Sequence, residues 1–213
     1  MPKVLRHYKA HFSKREYQKM VLLSFCLLVV SAAVNFYAIT FATVHASNSV
    51  SDIILSNTPV FDVDGFFVYG TFILAVVGIV IVLRHPKYLP FSFYTIALFW
   101  IIRSCFTMMT HMAPFEASYA TNFGPSIAHA FFGKDQFFSA HTGMPFVGAI
   151  AFWRQPRYRY FFLAATLYFA AVVLAGHLHY TIDVFSAFFI TYGIVHIAQW
   201  LWPREWALFL AET

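Results

Sequence analysis

Charge is what this chain has least of. Asp, Glu, Lys and Arg together make up 11% of 213 residues, against 60% hydrophobic, where a soluble domain carries about a quarter charged. So little polar surface cannot cover a core in water, which excludes a soluble globular protein and leaves an integral membrane one. Cysteine is nearly missing: Cys26 and Cys105 both lie in apolar runs, which excludes a disulfide framework and a thiolate metal site. Internal repeats and low-complexity tracts are lacking, so one domain is the natural reading. Acidic residues are few, 9 against 14 basic, for a formal charge of +5. That surplus would suggest nucleic acid if it formed a patch, but its distribution follows membrane topology instead.

What is abundant is apolar and aromatic. The 27 Phe and 12 Tyr suit a chain whose rings line a lipid interface. Residues 1–19 form a basic arm, with Lys3, Arg6, Lys9, Lys14, Arg15 and Lys19 against Glu16; it reads as a cytoplasmic topogenic signal or an amphipathic surface helix. Apolar runs follow at Met20–Ala42, Gly65–Leu83, Phe91–Met109, Phe137–Trp153, Tyr160–Gly176 and Tyr180–Trp202. The first exceeds the core of a cleaved signal peptide, about 7–15 residues, so it is a retained span. About 20 apolar residues cross the hydrocarbon layer. The expectation is an all-α protein, with the arm followed by a six-helix transmembrane catalytic domain over 20–213.

With the arm inside, twelve of the fourteen Lys and Arg residues fall on the inner side, while Asp52, Asp62, Asp64, Glu116 and Asp135 fall in the outer connections. The fourth and sixth helices then begin at the outer face. His141 opens the fourth and His179 the sixth. Arg103 lies about a dozen residues into the third, beyond the midplane toward the same face. Three ionisable groups in apolar surroundings therefore converge, and such groups mark function inside a membrane.

His179 and Asp183 are four residues apart, the spacing that places two side chains on one helical face. The carboxylate can hold one ring nitrogen and leave the other to attack. Helix N-termini carry unpaired N–H groups and partial positive charge, and Ser139 and Thr142 add hydroxyls, so two such ends make a phosphate seat. The set fits phosphoryl transfer through a phosphohistidine: His179 as nucleophile, Asp183 as its orienter, His141 as acid and base, and Arg103, or else Lys134, against phosphate charge. A structural role for Arg103, pairing with Glu116 or Asp64, stands beside this. His7, His11, His85 and His196 read as interfacial or capping residues. His141, His177, His179 and Asp183 could ligate zinc, but His177 and His179 at i and i+2 point apart on a helix, and no HExxH pattern occurs. Haem needs buried histidine pairs, whereas most histidines here lie near span ends. No metal or cofactor is assigned.

Three stretches carry a family resemblance: Arg103-Ser104-Cys105-Phe106-Thr107-Met108 followed by Pro114; Asp135-Gln136-Phe137-Phe138-Ser139-Ala140-His141-Thr142; and His179-Tyr180-Thr181-Ile182-Asp183-Val184, continuing through Ala187 to Ile190-Thr191. In order and spacing they resemble the sphingomyelin synthase family, a branch of the type 2 phosphatidic acid phosphatase superfamily. The resemblance implies that superfamily's six-helix bundle. It also implies an active site on the non-cytoplasmic face, and a triad that moves a phospho-head-group from a glycerophospholipid to ceramide. Here that triad falls on His141, His179 and Asp183. Asp135 and Tyr180, inside the matching motifs, join Arg103, Ser139 and Thr142 as substrate-binding candidates. The chain departs from the family at Ala140, where the motif has glycine. It lacks the wider superfamily's Ser-Arg pair, Val172 and Val173 standing there, and its Lys-x6-Arg-Pro motif. These absences favour the synthase branch over the lipid phosphatases.

The expected function is an integral-membrane lipid phosphotransferase with a phospholipid donor and a lipid-alcohol acceptor, ceramide or diacylglycerol. The alternatives are a lipid phosphatase or phospholipase C type hydrolase using water, or a non-enzymatic carrier or haem-bearing subunit. The absence of an N-x-[ST] acceptor fits a bacterial inner membrane.

Overall fold

A computed structural model describes residues 3–110, 112–116 and 136–211. Among them there is no strand. The helices are α1 (Lys3–Phe12), α2 (Arg15–Val44), α3 (Asp64–Arg84), α4 (Leu89–Thr110), α5 (Ala140–Ala151), α6 (Pro156–Ala175), α7 (Thr181–Leu201) and α8 (Pro203–Leu210), with short 3₁₀ turns at Leu55–Asn57 and Pro86–Tyr88. A helix satisfies its own backbone hydrogen bonds, which lipid cannot do for it. The hydroxyls these helices carry are absorbed the same way: Ser24, Ser31, Thr95 and Thr166 donate to carbonyls three or four residues back. Proline opens the helical segments at Pro86, Pro156 and Pro203, where its missing N–H costs nothing.

Five of the helical segments among the described residues are long and apolar enough to cross a bilayer: Arg15–Val44, Asp64–Arg84, Pro86–Thr110, Pro156–Ala175 and Thr181–Leu201. This is a multi-pass membrane protein. The fourth apolar run, short in the sequence and expected to borrow residues from its flanks, is shorter still as a helix. It makes a helix of 12 residues, about 18 Å long, too short to cross a hydrocarbon core of about 30 Å alone. Its start is held back by α4. Arg103 Nε donates to the Phe138 carbonyl at 2.9 Å and Thr107 Oγ1 to the Phe137 carbonyl at 3.1 Å. Those carbonyls are thus drawn sideways, and Phe137 has a φ of 56°, outside the helical region. The first spanning helix, α2, instead runs longer than its apolar stretch and begins inside the basic arm.

The helix ends gather into two layers. At one end, Tyr17 donates to the Pro86 carbonyl, Tyr88 pairs with Gln155, and buried Lys87 donates to the Ala211 carbonyl. There α8 closes an aromatic cluster in which Phe209 packs on Tyr88, Phe91 and Phe152. The other end holds the starts of α3, α5 and α7 and the finishes of α2, α4 and α6. The α2–α3 connection caps it. Phe61 N donates to the Ala175 carbonyl at 2.9 Å, and Val50 N to the Tyr180 hydroxyl at 3.2 Å. Close approach limits side-chain size at several glycines, Gly143 and Gly176 among them. A Cβ on Gly143 would come 2.8 Å from both the Phe99 ring and Thr191 Oγ1, and one on Gly176 would come 2.3 Å from Val63.

Candidate active site

Asp183 occupies the third position of α7, with Tyr180 as N-cap. Its Oδ2 accepts from Tyr180 N at 3.0 Å and lies 3.2 Å from His179 Nδ1. His179 therefore sits before the helix rather than on its face. The contact arises because a carboxylate at this position reaches back over the N-terminus, which extends it to the residue preceding the cap. Asp183 is fully buried and His179 is 6% exposed. Asp183 Oδ1 has no hydrogen-bond partner among the described residues.

The start of α5 is tied to the same point. Ser139 is its N-cap, and Ser139 N donates to the Asp183 carbonyl at 3.1 Å. The Ser139 hydroxyl accepts from Thr142 N at 3.3 Å and from Thr142 Oγ1 at 3.2 Å. Both side chains are fully buried, and neither lines the cavity described below; their hydroxyls build the helix start that presents His141. The His141 ring lies between Phe67, 4.3 Å away between centroids, and Phe169, at 5.9 Å. It lines the same cavity as His179 and Arg103.

One cavity of about 690 Å³ joins these groups. Arg103, Gln136, His141 and His179 lie along its lining, which otherwise runs mostly apolar, with Asn35, Thr71, Ser92 and Thr95 as the polar exceptions, down α2, α3, α4 and α5 to Phe91 and Phe152. Gln136 also steadies the loop before His179, its Nε2 lying 3.4 Å from the Leu178 carbonyl. On α3 the lining extends from Phe67 to Val82, about 22 Å of helix. Exposed Phe36 on α2 and Ile79 on α3 belong to the same lining, and these two helices make little contact with each other. The cavity thus opens sideways between them.

The other expected site residues lie elsewhere. Tyr180 is buried and faces the capping loops, its hydroxyl donating to the Ala113 carbonyl at 2.9 Å. Asp135 and Lys134 lie outside the described residues. His177 is turned away from the cavity: its Nε2 is 3.3 Å from Thr58 Oγ1 and its ring meets Phe115 edge-on. Glu116 accepts from Ser49 at 3.1 Å. Among the described residues no three His, Cys, Asp or Glu side chains gather as a metal site would require.

Two residues that sequence reasoning missed belong to this end of the molecule. Asp52 caps α7 from the α2–α3 connection: Oδ2 accepts from Thr181 N at 2.7 Å, and Oδ1 from Thr181 Oγ1 at 2.6 Å and from Ile54 and Leu55 N. Burial works against its charge. The hydrogen bonds from the Thr181 hydroxyl and from Leu55, Thr181 and Ile54 N–H outweigh it and hold the carboxyl below its ordinary value. The N-terminus of α7 expected to seat phosphate is therefore partly covered by Asp52. The second is Asn35, a carboxamide in the first apolar run, which lines the cavity; an amide among aliphatic neighbours was its signal. No protein-family model matches the chain, and no curated protein or solved structure is similar enough to count as a match.

Proposed function

We propose that this protein is a membrane lipid phosphotransferase of the phosphatidic acid phosphatase type 2 kind, similar in design to the sphingomyelin synthases. The single observation that supports this best is the His179–Asp183 pair at 3.2 Å, opening with His141 and Arg103 on one apolar, side-opening cavity. His179 Nε2 attacks the phosphorus of a phospholipid. A P–N bond forms while the P–O bond to the diacylglycerol breaks, and His141 delivers a proton to the departing alkoxide. Asp183 holds Nδ1 and balances the charge that grows on the ring. In the second half His141 takes the proton from a lipid alcohol, whose oxygen displaces the histidine. Arg103, with Nε engaged by the Phe138 carbonyl, stiffens the turn ahead of His141 and adds positive field at the phosphate.

The cavity's apolar lining supports a lipid rather than water as acceptor, and the arrangement of Lys and Arg supports a site on the outer face. The test is a product assay. Purified protein, phospholipid labelled in its head-group phosphate, and either ceramide or diacylglycerol should give a labelled lipid product. The product should vanish in His179→Ala and His141→Ala proteins that still fold. Free phosphate or a soluble phospho-head-group as the main product would make it a hydrolase. Equal turnover by His179→Ala would end the proposal.

A further inference from the structure

At the polar end of the cavity, two segments meet beside the start of α7. One is the α2–α3 connection, the other the stretch that follows α4. The Tyr180 hydroxyl joins them: it accepts from Val50 N at 3.2 Å and donates to the Ala113 carbonyl at 2.9 Å. Ser49 donates to Glu116 at 3.1 Å, a second tie between the same two segments. The Tyr180 side chain is 1% exposed, and Phe115 meets its ring edge-on at 6.0 Å between centroids. A phenylalanine would fill that space as well. What the hydroxyl adds is the two bonds to backbone.

The join lies between the surroundings and the reacting groups. Val50 is exposed, so its segment faces outward. Pro114, next to Ala113, lines the cavity together with Leu178 and His179, so the other segment faces inward. Without the hydroxyl, the Val50 N–H and the Ala113 carbonyl each lose a partner. Backbone groups left unmet draw in water, and here they would do so one residue along the chain from His179.

We propose that the Tyr180 hydroxyl is a latch that keeps water from the phosphohistidine, so that a lipid alcohol takes the phospho-group; this rests on the phosphotransferase reading. A phosphoryl group on His179 can pass to either kind of oxygen. With water, the P–N bond to His179 breaks and a P–O bond to the water oxygen forms. The proton goes to His141, and a soluble phospho-head-group leaves. The triad treats that step and transfer to a lipid alcohol alike. Access decides between them, and closing a site against water spares a reactive intermediate from hydrolysis. Tyr180 acts through the segments it holds, as a positioning residue.

The partition between the two products tests this. Full-length wild type and Tyr180→Phe in nanodiscs receive phospholipid labelled in its head-group phosphate, with ceramide or diacylglycerol as acceptor. The ratio of soluble phospho-head-group to labelled lipid product should rise by about ten-fold or more in Tyr180→Phe, the scale of a lost buried hydrogen bond. A merely structural role would lower both products together and leave the ratio where it was, and that result overturns the proposal. Ser49→Ala cuts the tie to Glu116 at the surface, where folding is not at stake, and should raise the ratio about two-fold. If Tyr180→Phe does not fold, an unchanged ratio in Ser49→Ala overturns the proposal instead. If wild type yields neither labelled product, the phosphotransferase reading fails and takes the latch with it. If wild type yields the lipid product and the ratio ignores Tyr180, only the latch fails.

Discussion

At the scale of single residues, the site depends on one carboxylate serving two neighbours. Asp183 Oδ2 meets both the ring of His179 and the backbone of Tyr180, so the group that orients the histidine also starts the helix. Asp183→Asn keeps the shape but loses the charge and can present the wrong atom to the ring. Phosphate transfer should fall by about a hundred-fold or more, with helix content unchanged by circular dichroism; retained turnover would show that His179 needs no orienter. Asp52 answers to pH. Its carboxyl is held below its ordinary value in the fold, so its stabilising effect is complete above about pH 4, the unfolded carboxyl range, and is lost as pH falls through the lower folded value. Wild type should therefore lose melting temperature in that acid window more steeply than Asp52→Asn. The two aspartates also differ in legibility. The Asp183 contact is local and follows from sequence spacing, although through a helix start rather than a helix face. The Asp52 contact spans two distant segments, and nothing in its local sequence beyond an acidic outer loop announces it.

At the scale of elements, α5 is the piece that apolar length alone does not describe. Long runs announce themselves as helices because lipid leaves the backbone no alternative. The start of α5 is decided instead by two side chains on α4 that draw the Phe137 and Phe138 carbonyls aside, a tertiary effect beyond the reach of a hydropathy window. Its packing has equally little slack. Gly143→Ala would press a methyl into Phe99 and Thr191, and overpacking of this kind costs about 1–3 kcal/mol; the melting temperature in detergent should drop measurably. Ser139→Ala removes the cap that accepts from Thr142, a loss of about 1 kcal/mol. It should lower turnover along with stability, because the same cap sets where His141 stands.

At the scale of the whole molecule, two layers of contacts clamp the bundle, while its long cavity stays open to one side between α2 and α3. That arrangement separates a polar end, where chemistry is proposed, from an apolar trough where chains can lie. Ala32 lies on the trough wall on α2, and Ala32→Trp should obstruct it. Transfer to long-chain acceptors should suffer more than transfer to short-chain ones in kcat/KM; equal losses would argue that lipids reach the histidines by another path. The trough also ends in aromatic rings. Phe91 and Phe152 stand at its far end, and Phe209 of α8 backs both rings, while Lys87 moors the residue that follows α8. A slot that ends at a fixed aromatic wall acts as a ruler for hydrocarbon. The C-terminal helix, remote from every proposed reacting atom, would then set how many carbons a tail may have before it no longer fits.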